Sequence, residues 1–162
     1  VSDLKPPVSV GLTEDPVMYI GTDTIGLIAN TPTLRCGHLL DMCAGTGVQG
    51  IFAAKTYAER VTCVDVNPRA VRFARFNARL NSCADRVTCL QGNLYAAACP
   101  PEEQAAGRGN ENASEGPHFR RGSVDVILAN PPFVPVPPKH ANRRYDLFAD
   151  GGGGGGGPGW PG

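Results

Sequence analysis

No stretch of this sequence approaches the roughly 20 consecutive apolar residues that a membrane-spanning helix needs, and no secretory leader is visible at its start. That argues against a membrane partner and for an intracellular setting, cytoplasm or organelle. The chain opens on Val1 rather than Met, so a fragment or processed form is expected, and a targeting segment could be missing. Metal-binding spacing is lacking too. The six cysteines stand at 36, 43, 63, 83, 89 and 99; none forms C-x-x-C, and no histidine sits at zinc-like distance from a cysteine pair. No metal site is expected, and Cys43, Cys63 and Cys89, on or beside apolar runs, read as buried reduced thiols. An excess of either charge is also missing. Fifteen Lys and Arg against fifteen Asp and Glu leave a formal net charge of zero, so any attraction to a polyanion must be local.

Glycine and proline, by contrast, are abundant, and much of the excess lies in two stretches. Residues 96–122 turn to Pro, Gly, Glu, Asn and Ser with few apolar anchors, which reads as a disordered insertion unable to offset its ordering entropy. Residues 151–162 form a Gly/Pro-rich low-complexity tail. The rest divides into an extended arm, 1–18, and one domain, 19–150.

That domain is organised around Leu39-Leu40-Asp41-Met42-Cys43-Ala44-Gly45-Thr46-Gly47. An apolar strand, expected over 38–43, runs into a small-residue turn and then into a helix expected over 48–58. Glycines let main-chain atoms approach a ligand, and the helix brings unpaired N–H groups to the same place. Gly45, Gly47 and Gly50 also satisfy G-x-G-x-x-G, so a dinucleotide and S-adenosylmethionine compete as ligands. Asp41 favours the second. A half-buried carboxylate there needs a cation, which the ammonium and sulfonium groups supply and a pyrophosphate does not.

Upstream, Thr22 or Asp23 is placed to cap a short helix carrying Ile25, Leu27 and Ile28. Downstream, Arg60 to Asp65 reads as a second strand, and Asn67-Pro68 as the N-cap and first position of a helix reaching about Asn81. Ala70, Phe73, Ala74, Asn77 and Leu80 share one side of that helix, with Arg69, Arg72 and Arg79 opposite. Asp85 to Leu90 reads as a third strand and Ser123 to Ala129 as a fourth. The alternation predicts an α/β, Rossmann-like parallel sheet with flanking helices. Ligands bind such sheets at the carboxyl ends of strands, and Asp41, Asp65, Asn93 and Asn130 each follow one.

Two of those ends suggest specific chemistry. Asp65 lies about 20 residues beyond the first glycine, where an acceptor-only carboxylate grips a ribose diol. Asn130-Pro131-Pro132-Phe133 makes a rigid exit without proline N–H donors. The Asn130 side-chain oxygen and the Pro131 carbonyl can accept both hydrogens of a planar –NH₂ group, and Phe133 can stack on it.

Taken in order, Asp41 to Gly47, Val64-Asp65-Val66-Asn67, Gly92-Asn93-Leu94-Tyr95 and Asn130 to Phe133 resemble the class I S-adenosylmethionine-dependent methyltransferases. The closest group is the methyltransferase small domain group, which includes base-methylating RNA enzymes and release-factor glutamine methyltransferases. The resemblance implies that Asp41, Cys43, Ala44, Gly45, Thr46 and Gly47 line the methionine moiety. It places Asp65 with Val66 at the ribose and Asn93 with Leu94 beside the adenine. Asn130 borders the cofactor, and Asn130, Pro131, Pro132 and Phe133 hold the target nitrogen. Tyr19 to Thr24, with Thr22, resembles the segment closing over the cofactor. Asn93 departs from the family's usual Asp, and the family's sheet has more strands than four, so truncation after the fourth strand is expected. The function implied is N-methylation, of a nucleobase in RNA ahead of a protein glutamine such as that of a release factor. The alternatives are a nicotinamide-dependent oxidoreductase and a catalytically dead cofactor-binding fragment.

Overall fold

In a computed structural model the described residues are 17–94 and 122–132. Nearly all of the arm and the insertion, and all of Phe133 and the tail, lie outside them. Four strands of the described residues form one parallel sheet: β1 (Cys36–Met42), β2 (Ala58–Asp65), β3 (Val87–Gln91) and β4 (Val126–Ala129). Their spatial order is β3-β2-β1-β4. The chain therefore steps outward from β1 to β3 and then returns to the far side of β1. The order reverses beside β1, and the loops leaving β1 and β4 diverge there, opening a crevice. Among the described residues three helices accompany the sheet: α1 (Thr22–Asn30), α2 (Val48–Thr56) and α3 (Pro68–Leu80).

The pleat sorts side chains into two layers. Leu39 and Asp41 of β1, Val61 and Cys63 of β2, and Val87 and Cys89 of β3 alternate with residues of the opposite face. Apart from Asp41, these join Ile51, Ala53, Ala54, Val71, Ala74 and Ala78 in the main apolar core. The opposite face holds a smaller cluster of Leu40, Met42 and Val64. Close approach of α2 to the sheet depends on Gly50. A Cβ there would lie 2.7 Å from Cys63 Sγ and 2.9 Å from Val61 Cγ1. The third glycine of the motif therefore serves packing.

Several sequence expectations shift for physical reasons. The cap of α1 is Gly21, with no side-chain capping bond, so neither Thr22 nor Asp23 acts as expected. The cap of α3 is as read: Asn67 Oδ1 accepts the Arg69 N–H at 2.8 Å, with Pro68 behind it. On α3 the buried side is Ala70, Val71, Ala74, Asn77 and Ala78, while Leu80 is exposed. Arg69 lies over the Phe73 ring, 4.9 Å from its centroid, so one member of the arginine row is engaged locally. β4 begins at Val126, three residues later than the apolar run suggests. The Asp125 N–H donates to the His38 carbonyl, but the His38 N–H is taken by Asp125 Oδ2 at 2.8 Å. A side-chain acceptor replaces the main-chain rung, and the ladder starts only afterwards.

His38 is buried where β1 meets β4, between the Ser123 carbonyl and the Thr62 hydroxyl, each 3.0 Å from a ring nitrogen. Burial lowers its pKa despite the Ser123 contact. Among the described residues no helix is long and apolar enough to cross a membrane, and no cluster of three or more His, Cys, Asp or Glu could hold a metal.

Candidate functional site

The crevice at the carboxyl ends of β1, β2 and β4 is a cavity closed on one side by the segment Val17–Ile20 and the start of α1. Its floor is the turn between β1 and α2. Three residues of that turn have left-handed backbones: Cys43 (φ 55°), Gly45 (φ 53°) and Gly47 (φ 77°). Cys43 tolerates this as a non-glycine residue, and it ends β1 at Met42. At Gly45 a Cβ would meet no atom within 4 Å, so the missing side chain leaves space on the cavity side. Gly47 differs. It caps α2 and faces α3, where a Cβ would come within 2.9 Å of Ala74 Cβ. Asn77 anchors the same turn, donating from Nδ2 to the Thr46 carbonyl at 2.9 Å.

Asp65 joins the ends of β1 and β2. Its Oδ2 accepts the Gly45 N–H at 2.7 Å and its Oδ1 accepts the Asn67 N–H at 2.9 Å. A carboxylate offers about four acceptor positions, so at least one stays open for a ligand. Burial raises the Asp65 pKa, against the lowering effect of the Asn67, Gly45 and Val66 N–H groups. Val66 and Leu94, both about half exposed, stand at the cavity with Asn93 and present aliphatic surface to anything flat placed between them.

Asp41 is not where the sequence reading put it. It shares the pleat of Leu39, so it points under α2 and does not line the cavity. Its side chain is fully buried, with Oδ2 accepting the Gly50 N–H at 2.8 Å and lying 3.8 Å from Cys63 Sγ. Oδ1 is buried without a partner among the described residues. Burial, assisted by the Asp65 charge, pushes the Asp41 pKa up to about 7. A direct pairing of Asp41 with a ligand cation, and with it the argument against a pyrophosphate, therefore loses its geometric basis.

On the far wall, Asn130 follows β4 directly, and Pro131 and Pro132 line the cavity beyond it. Asn130 Nδ2 donates to Asp23 Oδ2 at 2.7 Å. The structure thus brings together Cys43, Ala44, Gly45, Thr46, Asp65, Val66, Asn93, Leu94, Asn130, Pro131 and Pro132 of the expected set. Asp41, Gly47 and the exposed Thr22 stand off the cavity walls, and Phe133 lies outside the described residues. Asp23, expected only as a cap and as part of the closing segment 19–24, lines the cavity, and so does Gln49, to which no role was given. Gln49 sits buried in the first turn of α2, directly after the glycine motif, and that adjacency is the signal the sequence carries. The bond of Asp23 to Asn130 has no local signal, because its partner is 107 residues away.

Residues 20–105 match the family described as methyltransferase small domain. The chain is 31% identical over 131 residues to a Methanocaldococcus jannaschii protein named for protein N5-glutamine methyltransferase activity, covering 81% of this chain and 54% of that one. It is also 31% identical over 130 residues to a ribosomal protein L11 methyltransferase of Herpetosiphon aurantiacus, covering 80% and 39%. With a tRNA1(Val) (adenine(37)-N6)-methyltransferase of a Shewanella species it shares 25% over 116 residues, covering 72% and 42%. The chain spans about half or less of the length of these relatives.

Proposed function

The chain belongs to the methyltransferase small domain family of class I S-adenosylmethionine-dependent enzymes, and on that premise we propose that it is an N-methyltransferase acting on a planar –NH₂ group. The observation that carries this reading is the shared cavity: Asn130 and Pro131 face the same space as Gly45 and Asp65. A grip for a nucleophilic nitrogen beside a cradle for a nucleoside is what methyl transfer from a sulfonium needs. The nicotinamide alternative has no use for an Asn-Pro-Pro exit and is set aside with the family assignment.

The residues present fit S-adenosylmethionine. Gly45 leaves room for close approach, Asp65 keeps acceptor capacity for a ribose hydroxyl, and Val66 and Leu94 offer aliphatic surface to adenine. Bound there, the cofactor supplies an electrophilic methyl carbon on a positively charged sulfur. Asp65→Ala should weaken S-adenosylhomocysteine binding by about 1.5–3 kcal/mol, the range for hydrogen bonds to a charged group. Unchanged affinity in titration calorimetry would remove Asp65 from the ribose.

The chain's own contribution is to prepare the nitrogen. An amide or aryl amine is a weak nucleophile because its lone pair is delocalised into the neighbouring π system. The Asn130 side-chain oxygen and the Pro131 carbonyl accept its two hydrogens, return density to nitrogen and turn the lone pair toward the methyl group. With S-adenosylmethionine held by the Gly45 turn and Asp65, the cofactor would supply the methyl group and keep the C–S electron pair on its sulfur, while the nitrogen held by Asn130 and Pro131 would take the methyl and release one proton to solvent.

Among planar –NH₂ groups we place a nucleobase of RNA first, because Phe133 following the two prolines suits base stacking, worth about 1–3 kcal/mol. A protein glutamine is the second reading, favoured by the higher identity and coverage of the relative named for that substrate. Transfer of labelled methyl from S-adenosylmethionine into total RNA, with a release factor as the parallel substrate, tests both. Label only in the protein would overturn the nucleobase reading. Label in neither, with calorimetric binding of NADH but not S-adenosylhomocysteine, would overturn the methyltransferase reading itself.

A further inference from the structure

We propose that Asp23 is a positioning residue that fixes the Asn130 side-chain amide with its oxygen turned toward the target nitrogen. The inference rests on the role given to Asn130 above and adds the group that makes that role possible.

An asparagine amide has an oxygen that only accepts and an NH₂ that only donates, and a half-turn about χ2 exchanges them. For a residue meant to accept from a substrate –NH₂, the two orientations are opposites. With the oxygen forward it takes one of the substrate's hydrogens; with the NH₂ forward, donor meets donor. Nothing in Asn130 itself selects between them. Asp23 does. Its ionised carboxylate can only accept, so the atom 2.7 Å from its Oδ2 must be the Asn130 nitrogen. The oxygen is left for the cavity, and no donor reaches it among the described residues. A charge-assisted bond at this distance is stronger than a neutral one, and it polarises the amide so that Oδ1 becomes the better acceptor.

The surroundings hold Asp23 in place for this. It lies in the first turn of α1, where unpaired N–H groups and the helix dipole favour a carboxylate. It is half-buried and faces the cavity. The residue before α1 is Gly21, and a Cβ there would stand 2.5 Å from Asp23 Oδ1. Any larger residue would push the carboxylate aside, and an aspartate is too short to move without letting go of Asn130. The backbone of Gly21 (φ −101°, ψ −178°) is open to every residue, so its requirement is for space. The bond also ties α1, which comes before β1, to the loop after β4. The helix that covers the cavity is thereby linked to the residue proposed to grip the nucleophile.

The test uses two variants and two readouts. Asp23→Ala removes the acceptor; Asp23→Asn keeps the shape and replaces the carboxylate with a group whose own orientation is free. The first readout needs no substrate. In ¹⁵N-labelled protein the Asn130 side-chain NH₂ pair is identified by its loss in Asn130→Ala. Its protons should exchange with water about tenfold faster in Asp23→Ala than in the unmodified protein, as expected for a lost hydrogen bond. An unchanged shift and exchange rate would overturn the proposal. The second readout is methyl transfer to total RNA and to a release factor. Asp23→Ala should lower kcat about tenfold or more, with Asp23→Asn between it and the parent and KM for S-adenosylmethionine unchanged. In an Asn130→Ala background either Asp23 change should cost nothing further, because the residue it positions is gone. A loss that moves KM and leaves kcat alone, or that persists undiminished without Asn130, would overturn the proposal. Absence of transfer by the unmodified protein would count against the proposed function, while the exchange measurement would still decide whether Asp23 orients the amide.

Discussion

Asn130→Ala should lower methyl transfer by about 10³-fold in kcat, comparable to removing a preorganised group from a reacting centre, while S-adenosylhomocysteine still binds. The split follows from where Asn130 sits. It ends β4 on the wall opposite Asp65 and the Gly45 turn, so truncation removes one of two acceptors on the nucleophile and leaves the ribose end untouched. The remaining Pro131 carbonyl can hold one hydrogen but cannot fix the direction of the lone pair, and orientation is where much of the rate is expected to originate. Alanine also releases the Asp23 carboxylate from its bond, leaving a negative charge at the cavity. That charge has no reason to weaken a cationic cofactor, so a large loss of cofactor affinity is not expected. Single-turnover transfer of labelled methyl, read beside calorimetry, measures both halves. A variant that transfers at the parental rate would remove Asn130 from the reaction. One that loses both transfer and cofactor binding would make it a structural residue of the cavity.

How much of this was legible in the sequence depends on the range of the interaction. Apolar, β-branched runs and the Asn67-Pro68 cap are local, and they locate all four strands and α3 to within a few residues. The gathering of Asp65, Asn93 and Asn130 at one edge follows from parallel strands, so it too could be read. The place of Asp41 is legible as well. Parity with Leu39 puts it on the face covered by α2, and Gly50, whose hydrogen marks the closest approach of that helix, is nine residues away. At this position the pleat outweighs the chemistry of a strand end. Other features were out of reach. The bond between Asp23 and Asn130 and the rung that Asp125 takes from β4 each join segments separated by 87 residues or more. The burial of Val71 and Ala78 in place of Leu80 reflects how α3 sits on the sheet, which a helical wheel alone does not specify.

The buried Asp41 leads to the other large effect, on stability. Its pKa rises from 3.8 in the unfolded chain to about 7 in the fold, mainly because a fully enclosed carboxylate loses its hydration. Between those values the native state holds a proton that the unfolded state has released, so unfolding becomes easier as pH rises through the window. Above pH 7 the native carboxylate also ionises and the penalty levels off. Integrated from pH 5 to pH 8, this one group should cost the protein roughly 2–3 kcal/mol. Asp41→Asn carries no charge at any pH, and its oxygen can still accept the Gly50 N–H. Its NH₂ meets the same lack of partners that Oδ1 has now, which is a fixed penalty independent of pH. The variant should therefore gain on the parent by that amount between pH 5 and pH 8. His38 titrates in the opposite sense: its lowered pKa takes stability away as pH falls below 6.5. Since His38 is common to both proteins, denaturant unfolding of parent and variant at each pH, compared as a difference, cancels it. A difference that does not change between pH 5 and pH 8 would mean that Asp41 does not titrate near neutrality, and that Oδ1 has found a partner beyond the described residues.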